Sequence, residues 1–132
     1  MPKKKSRIVL LLVEDEAPLR EGLTDKFTRE GFRVMAAKDG QEGLALALEH
    51  HPDLIFLDIL MPKMDGLSFL RKLREDRWGK EAPCIIWSNS RDIEKVKEAE
   101  RLGVTDFLVK SDWTFSDLVE KVEEKLGSNN ST

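Results

Sequence analysis

RIVLLLVEDE (residues 7–16) and DLIFLDILMPKMDG (residues 53–66) are two apolar, strand-like segments that each end in carboxylates. The carboxylates are Glu14 and Asp15 in the first segment and Asp58 in the second. Grouping three acids at one edge of a sheet costs repulsion unless a cation or a proton offsets their charge. These acids therefore indicate a metal-assisted phosphoryl site.

Strand-like segments recur along the chain and alternate with segments of helical spacing. The strands are predicted at residues 7–13, 32–37, 53–58, 83–88 and 105–109. Because most of these strands are almost entirely apolar, the pattern predicts a parallel sheet covered by helices on both faces. Right-handed crossovers then give an α/β, doubly wound, three-layer fold with five strands and five helices.

The five helices are predicted from apolar faces that end at glycine or proline. The inner positions of the second helix are Leu44 and Leu48, and the fifth helix is expected to begin at a cap, Thr114 or Ser116. The fourth helix has a small apolar face, which makes it easier to displace than its neighbours. Its predicted inner residues are Ile93, Val96, Ala99 and Leu102.

Composition limits both the domain count and the function class. The 132 residues, with a net charge of -3, fit one mildly acidic domain at 7–127, preceded by a basic, solvated tail (1–6) and followed by a disordered tail (128–132). The apolar stretch at 8–13 is too short to span a membrane, and no signal-peptide pattern follows it, so a cytoplasmic location is expected.

The positions of four aromatic side chains can be explained by the fold alone, without a role in function. Trp87 is expected to pack in the core, and Trp78 is expected on the surface. Core packing is also favoured for Trp113 and Phe115, with a partly exposed partner-binding patch as the alternative.

Four of the five strands end in polar residues that suit phosphoryl transfer. If the strand order is 2-1-3-4-5, strands one and three are neighbours, and Asp15 and Asp58 lie close enough to share Mg²⁺. Asp58 is then the predicted nucleophile, which forms an aspartyl phosphate, and Glu14 and Asp15 hold the metal. Lys110 pairs with one phosphoryl oxygen, and Ser88 donates a hydrogen bond to another.

These residues resemble the response-regulator receiver domain of two-component signalling, over residues 7–127. Four matching elements carry the resemblance: the acids in LLVEDE, the segment DILMPKMDG, the hydroxyl residue in IIWSNS and the lysine in DFLVKS. They occur in the family's order and at its spacing. The resemblance implies a flavodoxin-like receiver fold with the strand order 2-1-3-4-5.

The resemblance also implies a function and its partners. Asp58 would accept a phosphoryl group from a histidine kinase or a histidine phosphotransfer protein, with Mg²⁺ bound by Asp15, Asp58 and the main-chain carbonyl of Leu60. Glu14 would act on the metal through a water molecule. The domain would catalyse its own phosphoryl transfer and dephosphorylation without turning over an external substrate.

The output implied by the resemblance is a protein contact. Phosphorylation would draw Ser88 towards the phosphate and shift Phe107, and helix four, strand five and helix five would carry the signal to a downstream protein. Direct contact with nucleic acid or a membrane is not expected. The chain would be a monomer or a weak, phosphorylation-dependent dimer.

Four residues depart from the family pattern. Ser111 replaces the usual proline, so the loop from Lys110 is expected to be looser or to turn differently. Phe107 lacks the hydroxyl of the common tyrosine. Asn89 replaces a small residue, and its amide could either obstruct water or donate a hydrogen bond, which leaves the lifetime of the phosphoryl group open. Leu60 is apolar where a polar side chain can guide water, which predicts slow self-dephosphorylation.

Two other functions are weighed against the phosphoacceptor switch. The departures at Asn89 and Ser111 leave open a phosphorylation-independent, receiver-like protein-interaction module. An aspartate-nucleophile phosphatase is disfavoured because the second acid such enzymes carry two residues after the nucleophile is Leu60 here.

Overall fold

The computed structural model describes residues 4–127, which form five strands, five α-helices and three short 3-10 turns. The strands are β1 (Val9–Val13), β2 (Arg33–Ala37), β3 (Leu54–Leu57), β4 (Cys84–Ser88) and β5 (Asp106–Val109). The helices are α1 (Ala17–Arg29), α2 (Gly40–His50), α3 (Gly66–Glu75), α4 (Ile93–Arg101) and α5 (Phe115–Leu126). The 3-10 turns are Lys5–Arg7, Gly79–Glu81 and Lys110–Asp112.

The sheet has the predicted architecture. All five strands are parallel and lie in the order β2-β1-β3-β4-β5. Each strand begins one or two residues later than the hydrophobic pattern predicts. In the register, Val13 of β1 pairs with Leu57 of β3, so Glu14 and Asp58 leave the sheet at the same level.

The core consists of two apolar layers, one on each face of the sheet. Side chains of α1 and α5 cover one face, and side chains of α2, α3 and α4 cover the other. Alternate residues of β4 contribute to different layers: Ile86 packs towards α3 and α4, and Trp87 packs towards α1 and α5. The result is the three-layer, doubly wound fold that the alternating pattern predicts.

Two residues that were predicted to lie on the inner faces of helices are exposed, so these two predictions are wrong. Leu48 is 37% exposed, because α2 contacts the sheet through the small residues Gly43 and Ala47 instead. A Cβ atom at Gly43 would lie 2.8 Å from Val13 Cγ2, so a larger side chain would push the helix away. Ile93 is 65% exposed, since it is the first residue of α4, and that helix buries only Ala99.

The surface also differs from the sequence prediction at Trp78 and Lys5. The Trp78 ring is half-buried and stacks on His51, with 4.3 Å between the ring centroids. Lys5, predicted in a solvated tail, forms an ion pair with Glu123, and its ammonium lies 5.4 Å from the centroid of the Phe32 ring. The rest of the basic tail (1–3) and the predicted disordered tail (128–132) lie outside the described residues.

The N-terminal caps of α4 and α5 show how the local sequence determines where each helix begins. Thr114, one of the two predicted caps, forms a reciprocal capping box with Asp117, and Asp92 caps α4.

Within residues 4–127, no helix is long and apolar enough to cross a bilayer.

Candidate functional site

The acids predicted to converge do so at the carboxyl ends of β1 and β3. Glu14 and Asp15 follow β1, and Asp58 follows β3. Each of the three acids offers an oxygen within 4.8 Å of the other two. Glu14 is fully buried and Asp58 is 5% exposed. A close group of buried carboxylates is electrostatically costly, and it therefore needs a counter-charge.

Lys110 supplies that counter-charge from the end of β5. Its ammonium lies 2.6 Å from Glu14 Oε1 and 2.9 Å from Asp58 Oδ2, and only 7% of its side chain is exposed. It also lies 3.4 Å from Glu16 Oε2. One buried ammonium thus contacts Glu14 and Glu16 after β1 and Asp58 after β3.

The backbone around Asp58 is tightly fixed. The Leu60 N–H donates to Asp58 Oδ1 at 3.0 Å, which leaves the other carboxylate oxygen facing Lys110. The Gly66 N–H donates to the Ile59 carbonyl at 2.9 Å, and a Cβ atom at Gly66 would lie 2.5 Å from the Asp58 carbonyl oxygen. The glycine in DILMPKMDG is therefore required for the close approach of α3 to the end of β3.

Two residues that hold the acidic loop were not predicted from the sequence. Arg20 Nη1 donates to the Glu14 carbonyl at 2.9 Å and to the Asp15 carbonyl at 3.3 Å. The Glu16 N–H donates to Glu14 Oε2 at 3.0 Å. Arg20 lies in the first turn of α1, where its position after VEDE was the only available signal.

Burial and charge move the pKa values of Glu14 and Lys110. Burial raises the pKa of Glu14 above its usual value, although Lys110 and the Glu16 N–H oppose the shift. Burial disfavours the charged form of Lys110, but its interactions with Glu14 and Asp58 outweigh that effect and raise the pKa of the ammonium. Lys110 therefore remains cationic between the acids.

The three carboxylates fit a small divalent cation. Hard oxygen ligands that are close together and partly open to water are the donors Mg²⁺ prefers. The three carboxyl groups outnumber the single Lys110 ammonium in the cluster. Both the chemistry and the charge of the donor set suit Mg²⁺.

A cleft of about 250 Å³ opens above the acids. Leu60 and Asn89 line it together with Lys110 and the acids Asp15, Glu16 and Asp58. Leu60 is 49% exposed. Leu60 and Asn89, two of the residues that depart from the family pattern, are therefore placed where they contact anything that enters the cleft.

Two residues predicted to respond at the site are held outside the cleft. Ser88 is fully buried, and its Oγ accepts a hydrogen bond from the Ser90 N–H at 3.3 Å. Phe107 is half-buried and packs against the core layer beneath α2, α3 and α4. Both residues would have to move to signal an event at Asp58.

The loop after Lys110 is a short turn that contains Ser111, the residue that departs from the family's usual proline. Residues Lys110–Asp112 form a 3-10 turn, and no cis peptide bond occurs within residues 4–127. The turn leads directly to the Thr114 cap of α5.

Comparisons with known proteins agree with this fold. The family model described as the response regulator receiver domain matches residues 10–123. Regulatory protein AtoC of Escherichia coli (strain K12) is 34% identical over 101 residues, which is 76% of this chain and 22% of AtoC. Transcriptional regulatory protein PdtaR of Mycobacterium tuberculosis (strain H37Rv) is 33% identical over 115 residues, which is 86% of this chain and 54% of PdtaR. The chain thus spans about a fifth to a half of these curated relatives.

Solved structures match over almost the whole domain. Chemotaxis protein CheY4 of Vibrio cholerae has a TM-score of 0.81 and 28% identity, covering 89% of this chain and 97% of CheY4. The CheX-CheY-BeF3-Mg complex of Borrelia burgdorferi includes a chain with a TM-score of 0.79 and 31% identity, covering 89% of this chain and 88% of that one. The chain therefore belongs to the response-regulator receiver domain family, whose members are the signalling switches of two-component systems.

Proposed function

We propose that this protein is a phosphoacceptor switch of a two-component or phosphorelay system, and that Asp58 receives a phosphoryl group from a histidine kinase or a histidine phosphotransfer protein. The observation that carries the proposal is the Lys110 ammonium, 2.9 Å from Asp58 Oδ2 at the base of an open cleft. A lysine that only neutralised buried acids would not need to lie beside a cleft of this size.

Phosphoryl transfer requires the protein mainly to position the reacting groups and to neutralise their charge. An Asp58 oxygen bonds to phosphorus as the bond to the donor imidazole nitrogen breaks, which gives an aspartyl phosphate and a free imidazole. The Leu60 N–H holds the Asp58 carboxylate in place, and Lys110 neutralises charge on a phosphoryl oxygen. The domain thereby catalyses its own phosphorylation and, with water as the nucleophile, its own dephosphorylation.

Mg²⁺ is the proposed cofactor. Asp15, Asp58 and the main-chain carbonyl of Leu60 would hold it, with Glu14 acting through a water molecule. When bound, it would neutralise negative charge on the transferring group. The close spacing of the carboxylates and their excess negative charge support this assignment.

The proposed output surface consists of α4, β5 and α5. Ser88 and Phe107 would respond to the phosphoryl group, and both lie on the side of the sheet that α4 covers. That helix buries only Ala99 and exposes 65% of Ile93, so little apolar burial holds it in place. An element with so small a buried face is suited to a two-state change.

The cleft residues support a long-lived phosphoryl group. Leu60 offers no polar atom from its side chain to orient water, and Asn89 lines the same cleft, where its amide could obstruct water. Slow self-dephosphorylation would then leave time for a downstream protein to bind.

The remaining assignments follow from this switch. We infer that the domain works in the cytoplasm, where it contacts its phosphoryl donor and an unknown downstream protein rather than nucleic acid or a membrane. A monomer, or a weak dimer that forms on phosphorylation, suits that role.

Intact mass after incubation with acetyl phosphate and Mg²⁺ tests the proposal. The wild-type chain should gain the mass of one phosphoryl group, and Asp58→Asn should gain none. Asp25→Asn is the matched control, because Asp25 is an exposed carboxylate paired with Arg29 on α1. Absence of a gain in the wild-type chain, or a full gain in Asp58→Asn, would contradict the switch and favour the phosphorylation-independent module.

The output surface needs its own test. Amide exchange with beryllofluoride and Mg²⁺, compared with Mg²⁺ alone, should change across residues 91–127. Equal exchange in that region under both conditions would count against α4, β5 and α5 as the output surface.

A further inference from the structure

The Lys110 ammonium lies over the face of a buried aromatic ring as well as between carboxylates. Its Nζ is 5.0 Å from the centroid of the Trp87 ring. Trp87 is the residue before Ser88 on β4 and is 3% exposed. An ammonium at this distance over an indole face is attracted by the ring quadrupole, most strongly where water is excluded.

The Trp87 ring is itself held in place. Phe115, the first residue of α5, meets it edge to face, with 6.3 Å between the ring centroids. The edge-to-face arrangement fixes the plane of the indole. Lys110 follows directly after β5, and Trp87 is in β4, the neighbouring strand, so the two side chains meet at the end of the sheet that carries the cleft.

The hydrophobic role alone does not explain a tryptophan at this position. Its indole Nε1 is buried and has no hydrogen-bond partner among the described residues. A buried donor without a partner is costly, and phenylalanine or leucine would fill the layer without that cost. The broad indole face, which the lysine uses, is what a smaller apolar residue would lack.

We propose that Trp87 is a positioning residue for Lys110. The indole face holds the ammonium at the height where it reaches Asp58 Oδ2, and it limits the other places the flexible lysine side chain can occupy. This inference rests on the proposed function, in which Lys110 neutralises the phosphoryl group. It goes beyond that function by assigning a role to a residue outside the acid, hydroxyl and lysine set.

Two measurements on Trp87→Leu, Trp87→Phe and Phe27→Leu test the inference. The first is the proton shift of the Lys110 ε-methylene group by NMR, which an indole face moves upfield. The second is the affinity for beryllofluoride in saturating Mg²⁺. Phe27→Leu is the matched control, because Phe27 is a buried aromatic residue of the same core layer that packs on Phe32 and Phe56 rather than on Lys110.

We expect the upfield shift to disappear in Trp87→Leu, to persist in part in Trp87→Phe and to be unchanged in Phe27→Leu. Beryllofluoride affinity should fall about two- to fivefold in Trp87→Leu, the range of a modest cation–π contact, and should recover only in part in Trp87→Phe. A purely structural role for Trp87 would instead give Trp87→Leu and Phe27→Leu the same affinity. Trp87→Met replaces the leucine variant if that variant does not fold.

The inference and the proposed function fail differently. If the wild-type chain binds no beryllofluoride, the proposed function fails, and the methylene shift by itself decides whether Trp87 holds Lys110. If the wild-type chain binds but Trp87→Leu binds as tightly as Phe27→Leu, the positioning role is overturned while the switch stands. A methylene shift that is identical in wild type and Trp87→Leu overturns it in either case.

Discussion

Lys110→Met should destabilise the domain without Mg²⁺ and make it more responsive to Mg²⁺. The substitution keeps an unbranched side chain of similar length but removes the ammonium. Glu14 and Asp58, which are 0% and 5% exposed, would lose the cation that lies 2.6 Å and 2.9 Å from their oxygens. The ammonium also competes with Mg²⁺ for the same carboxylates, so its removal should strengthen metal binding.

The size of the loss follows from the burial of these groups. Removing one partner of a buried ion pair costs about 3–5 kcal/mol. Proton uptake by Glu14 limits the loss: protonating a carboxyl with an ordinary pKa of 4.5 at pH 7 costs about 3.4 kcal/mol, from about 1.36 kcal/mol for each pKa unit. We therefore expect the free energy of unfolding to fall by about 3 kcal/mol when Mg²⁺ is chelated.

Urea denaturation followed by circular dichroism, with EDTA and with saturating Mg²⁺, measures both effects. The added stability from Mg²⁺ grows with its affinity for the folded state, so it should be larger in Lys110→Met than in wild type. Lys121→Met is the control, because Lys121 pairs with Asp106 at 2.9 Å near the surface and its loss should cost at most about 1 kcal/mol. Equal stability of Lys110→Met and wild type in EDTA would refute the reasoning, and so would equal stabilisation by Mg²⁺.

Three further predictions concern other parts of the molecule. Burial disfavours the ionised form of Asp106, but hydrogen bonds from Lys125 and Lys121 outweigh that effect and lower the pKa of the carboxyl group. The contribution of ionised Asp106 to the stability of the folded state is therefore present above the unfolded-state pKa and is lost as pH falls through the folded-state pKa. The stability gap between wild type and Asp106→Asn, about 1 kcal/mol or less at neutral pH, should therefore close on acidification in urea titrations, and a gap that widens in acid would contradict this assignment. Burial raises the pKa of Cys84 to about 11, so iodoacetamide at pH 8 should label the thiol only after unfolding, as judged by mass. Rapid labelling of the native chain would show that the start of β4 opens. Leu60→Gln should speed loss of the phosphoryl group several-fold, followed by intact mass over time, because an amide can orient water in the cleft; an unchanged lifetime would remove Leu60 from the explanation.

Local sequence patterns were sufficient for most of the fold. The apolar runs at β1 and β3 predict buried parallel strands, because a strand covered on both faces needs no polar alternation. Strand starts and inner helix residues were less certain, since both depend on what an element packs against. Ile93 and Leu48 have the right spacing for a buried face, but neither meets the sheet.

For the candidate site, residue type and position at the strand ends were enough to predict which residues take part. Contacts between side chains of different elements could not be predicted in this way. The sequence indicated Glu14, Asp15, Asp58 and Lys110, and the structure brings them together. Arg20 was missed, because an arginine in the first turn of a helix is ordinary until its guanidinium is seen to bond the loop carbonyls.

The sequence by itself determined the class of fold and the chemistry at one edge of the sheet, because hydrophobic period and the order of acidic, hydroxyl and basic residues are local properties of the chain. Only the tertiary structure decided which side chains meet. Lys110 and Glu14 are far apart in sequence, and they come within 2.6 Å because parallel strands in the order β2-β1-β3-β4-β5 gather their carboxyl ends at one edge. The contact of Lys110 with Trp87 arises in the same way, since it depends on the pairing of β4 with β5 and on the face of the sheet that each side chain occupies.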